Sequence, residues 1–475
     1  MSCSLCPPRP LFLLTTILPP PRTMRTSLGE WDSKHQACIR GGNMDRLLAL
    51  PIPGESFLLQ RGGKNILVDG GYGYKALEKA LTSAEIEVNF LHIVVCTHAD
   101  ADHAGGLADL LDKSEIEVGE FWLPGEWGDT LPDLLKNPQA VTDGLLKELE
   151  DEPDWADDGR NDKNDEVNDD DREADEEWEA RVHGELAAQK RELKSDRPRE
   201  RRRAPSQERK EQKPGLDWLK QQAGDTAVDD PDQEKAVAKM FRRAQGRALN
   251  RIRSGQTRRA WGKLLLRAIK TADRIRRIAV QAIRHDVNVR WFDFSEFIKT
   301  RQAYGGDPGW LVPLNAVELV VPPPPAVHWQ YLTRLTPVNE QSLVFMSKVN
   351  GSGRVETFDV VFTADSPLGD GPGYANSFLP SPVPDRWVAV VTAPHHGSQN
   401  NAMAYDHVKK MALVGLWLRA GGLSTHPGAT FREISGAHRA CTHCPHHGYP
   451  RALVEVQLGM ELWSHKGVKS HFCSC

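Results

Sequence analysis

The chain has 475 residues, 39% of them apolar, with 60 Lys and Arg against 65 Asp and Glu and a formal net charge of −5. That apolar content can build a large core, which excludes a wholly disordered chain. No apolar run approaches the roughly 18–20 residues that span a bilayer, so the sequence predicts a soluble chain with no membrane partner. A mean hydropathy of −0.50 is polar for a globular enzyme, and the charge is segregated rather than spread.

The cysteines other than Cys96 fall toward the two ends: Cys3, Cys6, Cys38, Cys441, Cys444, Cys473 and Cys475. A secreted disulfide scaffold would spread them through the core, so a reducing, cytoplasmic setting is expected. LFLLTTIL at 11–18 has the apolar character of a signal peptide. However, prolines crowd it, Arg9 is its sole preceding charge, and no small-x-small cleavage pattern follows closely. A strand-like pattern begins at MDRLLALPIPGESFLLQ, which makes Met44 the expected natural start and 1–43 a disordered or spurious extension.

From there, FLLQ, the turn RGGK and NILVDGG predict a hairpin, and YKALEKALTSA a helix. LHIVVCT at 91–97 is continuously apolar and β-branched, hence a buried strand; AGGLADLLDKS predicts the next helix and FWLPG another strand. Between 148 and 215 an acidic run gives way to a basic one with no apolar stripe. It reads as a disordered, solvated spacer, with nucleic-acid contact by the basic half as the alternative.

Over 235–284 apolar residues return at helical spacing. Leu265, Ile269, Ile275, Ile278, Ala279 and Ile283 share a face, with Arg267, Lys270, Arg274, Arg276 and Arg277 around it. The cations are either a sequence-independent nucleic-acid surface or a counterweight to the acidic run. Strands then resume: VNVRWFDF, GWLVPLNAVELVV stopped by prolines, SLVFMSKV, ETFDVVFTADS and WVAVVTAPHHGS. The order predicts one α/β domain split into 44–147 and 285–435 by a charged insertion at 148–284, with a Cys/His-containing extension at 436–475.

The chemistry concentrates in HADADHAGG after the buried strand. Four ligand-type residues in six, His98, Asp100, Asp102 and His103, predict a metal site. Alternate residues of a tight loop point to one side, so His98 and Asp100 can serve one ion and Asp102 and His103 a second. Two divalent ions lower the pKa of a water between them, so a hydroxide is present near neutral pH, and a phosphodiester suits attack by it. Gly397 and Ser398 are candidate donors to the developing charge.

The pattern resembles the metallo-β-lactamase fold superfamily, and within it looks most like the hydrolase domain of the competence protein ComEC and its stand-alone relatives. The resemblance rests on HADADHAGG, NEQSLVF at 339–345, FTADS with Asp365, PHHGS at 394–398 and GLSTHPG with His426, in that order. It implies an αββα sandwich and a two-metal hydrolase loaded with Zn2+ or Mn2+. It also implies His98, Asp100, Asp102, His103, Asp365 as bridge and one of His395 and His396 as ligands. His396 is favoured as the ligand and His395 as substrate-facing, while His426 orients substrate, completes a coordination sphere or protonates the leaving group. Two departures stand out. Ala364 replaces the family's Gly, a change expected to be tolerated, and no separate histidine precedes the bridging Asp except His285 and His328, both expected to be structural. Asp100, where a histidine is usual, makes a harder site more tolerant of Mn2+ or Mg2+.

Cys441, Cys444, Cys473 and Cys475 offer a structural Zn2+ knuckle, with unligated thiols or a redox role as alternatives, since a lone Cys-x-x-Cys is weak and the Cys-x-Cys spacing unusual. The leading expectation is a metal-dependent phosphodiesterase or nuclease. The rivals are a hydrolase of a small ester or phosphate-containing metabolite, and a non-catalytic interaction protein with a degenerate site.

Overall fold

Apolar residues alternate between two interiors along the first strands. Leu47, Phe57, Leu59, Ile66, Val68, Ile93 and Val95 point into one core, while Leu48, Leu58, Leu67 and Val94 point into another. A strand with both faces covered reads as a near-continuous apolar run, which is why FLL and LHIVV lack polar alternation. Each such side chain contributes about 1.5–3 kcal/mol when fully buried.

The computed structural model describes residues 45–148, 150, 184–186, 188–190, 213–224, 228, 230–255, 257, 259–324, 330–348, 358–380, 388–422, 426–444, 450–458, 468–469, 473 and 475. The first half supplies β1 (Arg46–Ala49), β2 (Phe57–Arg61), β3 (Lys64–Val68), β4 (Phe90–Val95) and β5 (Glu117–Pro124). After the insertion come β6 (Asn288–Asp293), β7 (Val312–Pro313), β8 (Val317–Leu319), β9 (Phe345–Ser347), β10 (Asp359–Phe362), β11 (Gly369–Asp370) and β12 (Asn376–Ser377). The last are β13 (Val388–Thr392), β14 (Leu413–Arg419), β15 (Arg439–Cys441), β16 (Val454–Gln457) and β17 (Val468–Lys469).

One sheet runs β17-β16-β1-β2-β3-β4-β5-β6-β8, the other β15-β14-β13-β10-β9-β7, and β11 pairs with β12. Strands β3 to β6 are mutually parallel, as are β10, β13, β14 and β15. The sheets pack through Trp122, Phe292, Phe345, Val360, Val390 and Leu418. Helices cover the outer faces: Arg259–Arg284 with Leu131–Lys136 on the first, and Ala402–Met411 on the second through Tyr405, Val408 and Met411. This is the expected αββα sandwich. The described residues, which begin at 45, fall in one compact unit.

Several local expectations differ from the structure. GWLVPLNAVELVV is two short strands in different sheets, β7 and β8, because Pro313 cannot donate to a ladder and Asn315 instead bridges Ser342 O and Val344 N. AGGLADLLDKS breaks into a 3-10 turn, Leu107–Asp109, and one helical turn, Leu110–Lys113. Within the insertion, the described residues include helical and buried ones. Helices begin at Pro214 and Pro231, ahead of the expected 235, and Leu186 and Lys190 are buried.

Arg259–Arg284 buries Leu265, Ile269, Ile275, Ile278 and Ala279 in the same core as the first sheet. Its Gln281 accepts from Leu111 N at 2.9 Å and donates to Ala108 O. Arg276 is buried too, donating to Leu134 O at 3.1 Å and to Glu234 at 2.7 Å. The expected extension at 1–43, and most of 148–215, lie outside the described residues. Among the described residues no helix is long and apolar enough to cross a membrane.

Candidate metal centre

The centre forms where parallel strands end, the usual place for ligands in such sheets. His98 follows β4, Asp365 follows β10, and His395 and His396 follow β13. Asp100 is the N-cap of the helical turn Ala101–Ala104, so Asp102 and His103 sit on a helical turn rather than alternating along a tight loop as expected. Helical turning separates their directions as effectively as alternation would. Gly106 is required by close approach: a Cβ there would strike the carbonyl of Gly70.

Asp365 is the hub. Its Oδ1 lies 3.2 Å from His103 Nε2 and 3.8 Å from His396 Nε2, and its Oδ2 lies 3.6 Å from both His98 Nε2 and His395 Nε2. His98 Nε2 is 3.5 Å from Asp100 Oδ2, and His396 Nε2 is 3.0 Å from Asp102 Oδ2. Two donor groups result that share Asp365: His98, Asp100 and Asp365, and Glu55, His103, Asp365 and His396, each with ligand atoms within 4.8 Å of one another.

Each buried imidazole is held from behind. His103 Nδ1 meets Asp69 Oδ2 at 2.7 Å, His98 Nδ1 meets Thr97 Oγ1 at 3.1 Å, and His396 Nδ1 lies 3.0 Å from Ala420 O and 3.2 Å from Glu55 Oε2. Asp69 also accepts from Thr97 N at 2.8 Å and Thr97 Oγ1 at 2.7 Å. Such outer partners fix tautomer and ring direction in metal sites. On the inner side, His98 Nε2, His103 Nε2 and Asp365 Oδ1 are buried without a hydrogen-bond partner. Leaving each unmade costs about 1–3 kcal/mol. Convergent nitrogen and carboxylate atoms that face one another at ion-pair distance without a hydrogen bond therefore fit divalent cations.

Electrostatics agree. Burial pushes His98 and His396 down, but the surrounding carboxylates outweigh it, raising His98 to about 9 and His396 to about 10. The same balance, led by Asp365 and Asp69, holds His103 well above its ordinary value. Burial pushes Asp102 and Asp365 up, yet the imidazoles win and both are lowered. The cluster demands positive charge, and protons supply it where cations do not. Burial raises Glu55, with His396 opposing. Burial, followed by His396 and His395, lowers His426 to about 4, so its imidazole is neutral at neutral pH.

A cavity of about 380 Å³ opens above the cluster. Its floor is Asp100, Asp102, Asp365, His395 and His396, with His426 and Tyr72 at the sides. Its roof is the Arg259–Arg284 helix, through Leu264, Arg267, Ala268, Lys270, Thr271 and Arg274. Arg267 and Lys270 are exposed. Arg274 locks roof to floor, donating to Ala99 O from Nε at 2.9 Å and Nη2 at 2.6 Å.

The structure brings His98, Asp100, Asp102, His103, Asp365, His395, His396 and His426 together. His396 is buried among the donors, while His395 is about one-quarter exposed on the cavity. Ser398 is not brought to the cavity: it is buried as the N-cap of the turn Gln399–Asn401, its hydroxyl accepting from Asn400 N at 3.3 Å. Its own turn needs the oxygen expected for substrate. His285 stands away from the centre, 3.3 Å from Asp112, and His328 lies outside the described residues.

Ala364 is less innocuous than expected, because it adopts φ 46°, a left-handed conformation that favours the Gly it replaces. Asp69, His395 and His396 share that region at φ 61°, 46° and 53°. Strain collected around a cluster of donors marks a functional site. Glu55 and Asp69 were missed in the sequence, although NILVDGG carries a signal: an Asp closing an apolar run before two glycines.

None of the curated proteins compared with the chain matches it. Residues 50–187 match the family model of the metallo-beta-lactamase superfamily. The matched stretch carries Glu55, Asp69 and the His98–His103 turn but stops before Asp365 and His396. Together, the matched family and the donor cluster support a metal-dependent hydrolase built on the metallo-beta-lactamase fold.

Proposed function

We propose that the protein is a metal-dependent phosphodiesterase. The observation that carries this reading is the cavity itself: a carboxylate-rich, donor-lined floor faces a roof bearing Arg267, Lys270 and Arg274. A neutral ester has no use for the exposed Arg267 and Lys270 beside the reacting centre, whereas phosphate oxygens recruit such cations as charge-assisted hydrogen-bond donors.

Two divalent cations held by His98, Asp100, Asp102, His103, His396 and a shared Asp365 would supply Lewis acidity and water activation. Asp69 and Glu55 hold the imidazoles in direction, and Arg274 keeps the roof at a set height over the His98–His103 turn. His395 and His426, both on the cavity, are the groups placed to donate to the substrate. A neutral His426 suits proton transfer better after a neighbouring anion raises its pKa. Tyr72, pushed up to about 12 by burial and by Asp102 and Asp100, keeps its phenolic proton at the mouth.

The cavity size favours a small phosphodiester or a single-stranded end over a duplex, since about 380 Å³ lies near the lower limit of small-molecule pockets, roughly 300–1,000 Å³. The Asp100 carboxylate on the floor favours Mn2+ as well as Zn2+.

The experiment offers the full chain, with Mn2+ or Zn2+, a chromogenic phosphodiester, single-stranded DNA, duplex DNA, RNA and a carboxylic ester side by side. Phosphodiesters should be turned over, and Asp365→Asn should lose more than the 10- to 100-fold that outer-sphere changes cost. Turnover of the carboxylic ester alone, or an Asp365→Asn variant as active as wild type, overturns the reading.

A further inference from the structure

A second cluster lies away from the cavity and takes no part in the proposed chemistry. We infer that Cys441, Cys444, Cys473 and Cys475 form a structural four-thiolate zinc site that clasps the edges of the two sheets together. This inference is independent of the phosphodiesterase reading.

The four sulfurs lie within 4.8 Å of one another. Cys441 Sγ is 3.7 Å from Cys475 Sγ, and Cys444 Sγ is 3.9 Å from Cys473 Sγ. A tetrahedron of thiolates at the usual zinc–sulfur length has edges of about 3.8 Å, so both separations already have the required size. None of the four is in a disulfide, and Cys441, Cys444 and Cys473 are buried. The Cys441–Cys473 separation of 2.7 Å is shorter than an edge but longer than the roughly 2.05 Å of a disulfide. It marks the pair that oxidation would join if no metal came.

Topology says what the site is for. Cys441 closes β15, the outermost strand of the second sheet, and Cys444 follows three residues later. Cys473 and Cys475 follow β17, the outermost strand of the first sheet, which has only two residues and one neighbour, β16. Three buried thiols and a partly buried fourth alone offer little beyond ordinary packing. A metal bound by all four makes its binding free energy part of folding free energy.

The clasp also reaches the cluster above. Arg419, at the end of β14, donates to His443 O in the Cys441–Cys444 loop at 2.7 Å and to His396 O at 2.7 Å. Zinc suits four thiolates in a closed tetrahedral shell, whereas the nitrogen and oxygen donors around Asp365 make a different class of site.

The difference in donor class provides the test. The reduced, chelator-stripped full chain is titrated with Co2+ and read for thiolate-to-cobalt charge-transfer absorption, which a nitrogen and oxygen site does not give. Wild type and Asp365→Asn should both develop the band, saturating at one equivalent per chain, and Cys441→Ser with Cys444→Ser should abolish it. Cobalt bound without the band in wild type and Asp365→Asn overturns the inference. So does a Cys441–Cys473 disulfide found by peptide mapping of the full chain held in a glutathione buffer. If the serine variant does not fold, the wild-type and Asp365→Asn spectra still decide.

Discussion

The floor and the roof of the cavity are built by opposite means. The floor comes from short turns at strand ends, with His98, His103, Asp365 and His396 buried and gripped by Thr97, Asp69, Asn401 and Glu55. The roof is one long helix whose apolar side is sunk in the first core and whose Arg267 and Lys270 reach the cavity exposed. The floor's His98, His103, Asp365 and His396 are fixed in position and desolvated, whereas Arg267 and Lys270 are exposed. On the proposed reading the floor carries the chemistry and the roof the recognition, so changes on each side should alter different kinetic constants.

The largest effect is expected from the grip behind the floor. Asp69→Asn or Glu55→Gln should weaken metal affinity by about 10–100-fold, measured by calorimetric titration with Mn2+, with no change in the phosphodiester KM once the enzyme is saturated with metal. Unchanged metal affinity would show that these carboxylates serve folding alone. On the roof, Arg267→Ala with Lys270→Ala should raise KM about tenfold, equivalent to about 1.5 kcal/mol for hydrogen bonds to a charged group. In that variant kcat should stay near wild type. Steady-state kinetics with equal losses in kcat and kcat/KM would break the division of labour.

A third effect follows from the proton affinity of the floor. His98 and His396 are raised from 6.5 to about 9 and about 10. Stability from their protonated pairs with Asp365, Asp100 and Asp102 is fully present below pH 6.5 and lost as pH rises through 9–10. The melting temperature of the metal-stripped protein should therefore fall across that window, while the Mn2+-loaded protein, whose pairs do not depend on protons, should fall less. Parallel melting profiles would contradict the shared role of metal and protons. The smallest effect concerns Ala364 at φ 46°. Ala364→Gly should stabilise the fold by about 1 kcal/mol in urea unfolding, since left-handed backbone costs an Ala roughly 1–2 kcal/mol.

How much of this was legible depends on how far apart the partners lie in sequence. His98, Asp100, Asp102 and His103 are adjacent, so their shared purpose is visible in HADADHAGG. The αββα layering was implied by the resemblance that this and the later motifs carry, while apolar runs such as FLL and IVV implied by themselves only buried strands. Glu55 was not legible, since nothing local distinguishes a turn carboxylate in PIPGES from a solvated one until the fold sets it 3.2 Å from His396. The roof was half legible: Leu265, Ile269 and Ile278 announce a packed face, but which site Arg267 and Lys270 overlook depends on contacts from Gln281 to Leu111 and Arg274 to Ala99 across some 170 residues. At Ala364 the replaced Gly was visible but the left-handed backbone was not, since φ 46° is set by the fold, where His395 N also bonds Ala364 O at 2.8 Å.

We propose that the donors around Asp365 hold catalytic cations beneath a phosphate-binding roof, and turnover of a chromogenic phosphodiester as Mn2+ is returned to the chelator-stripped full chain decides it. The account predicts no turnover without metal, recovery as Mn2+ fills the two donor groups, and no recovery in Asp365→Asn. Turnover by the stripped protein, or full recovery in Asp365→Asn, would contradict it.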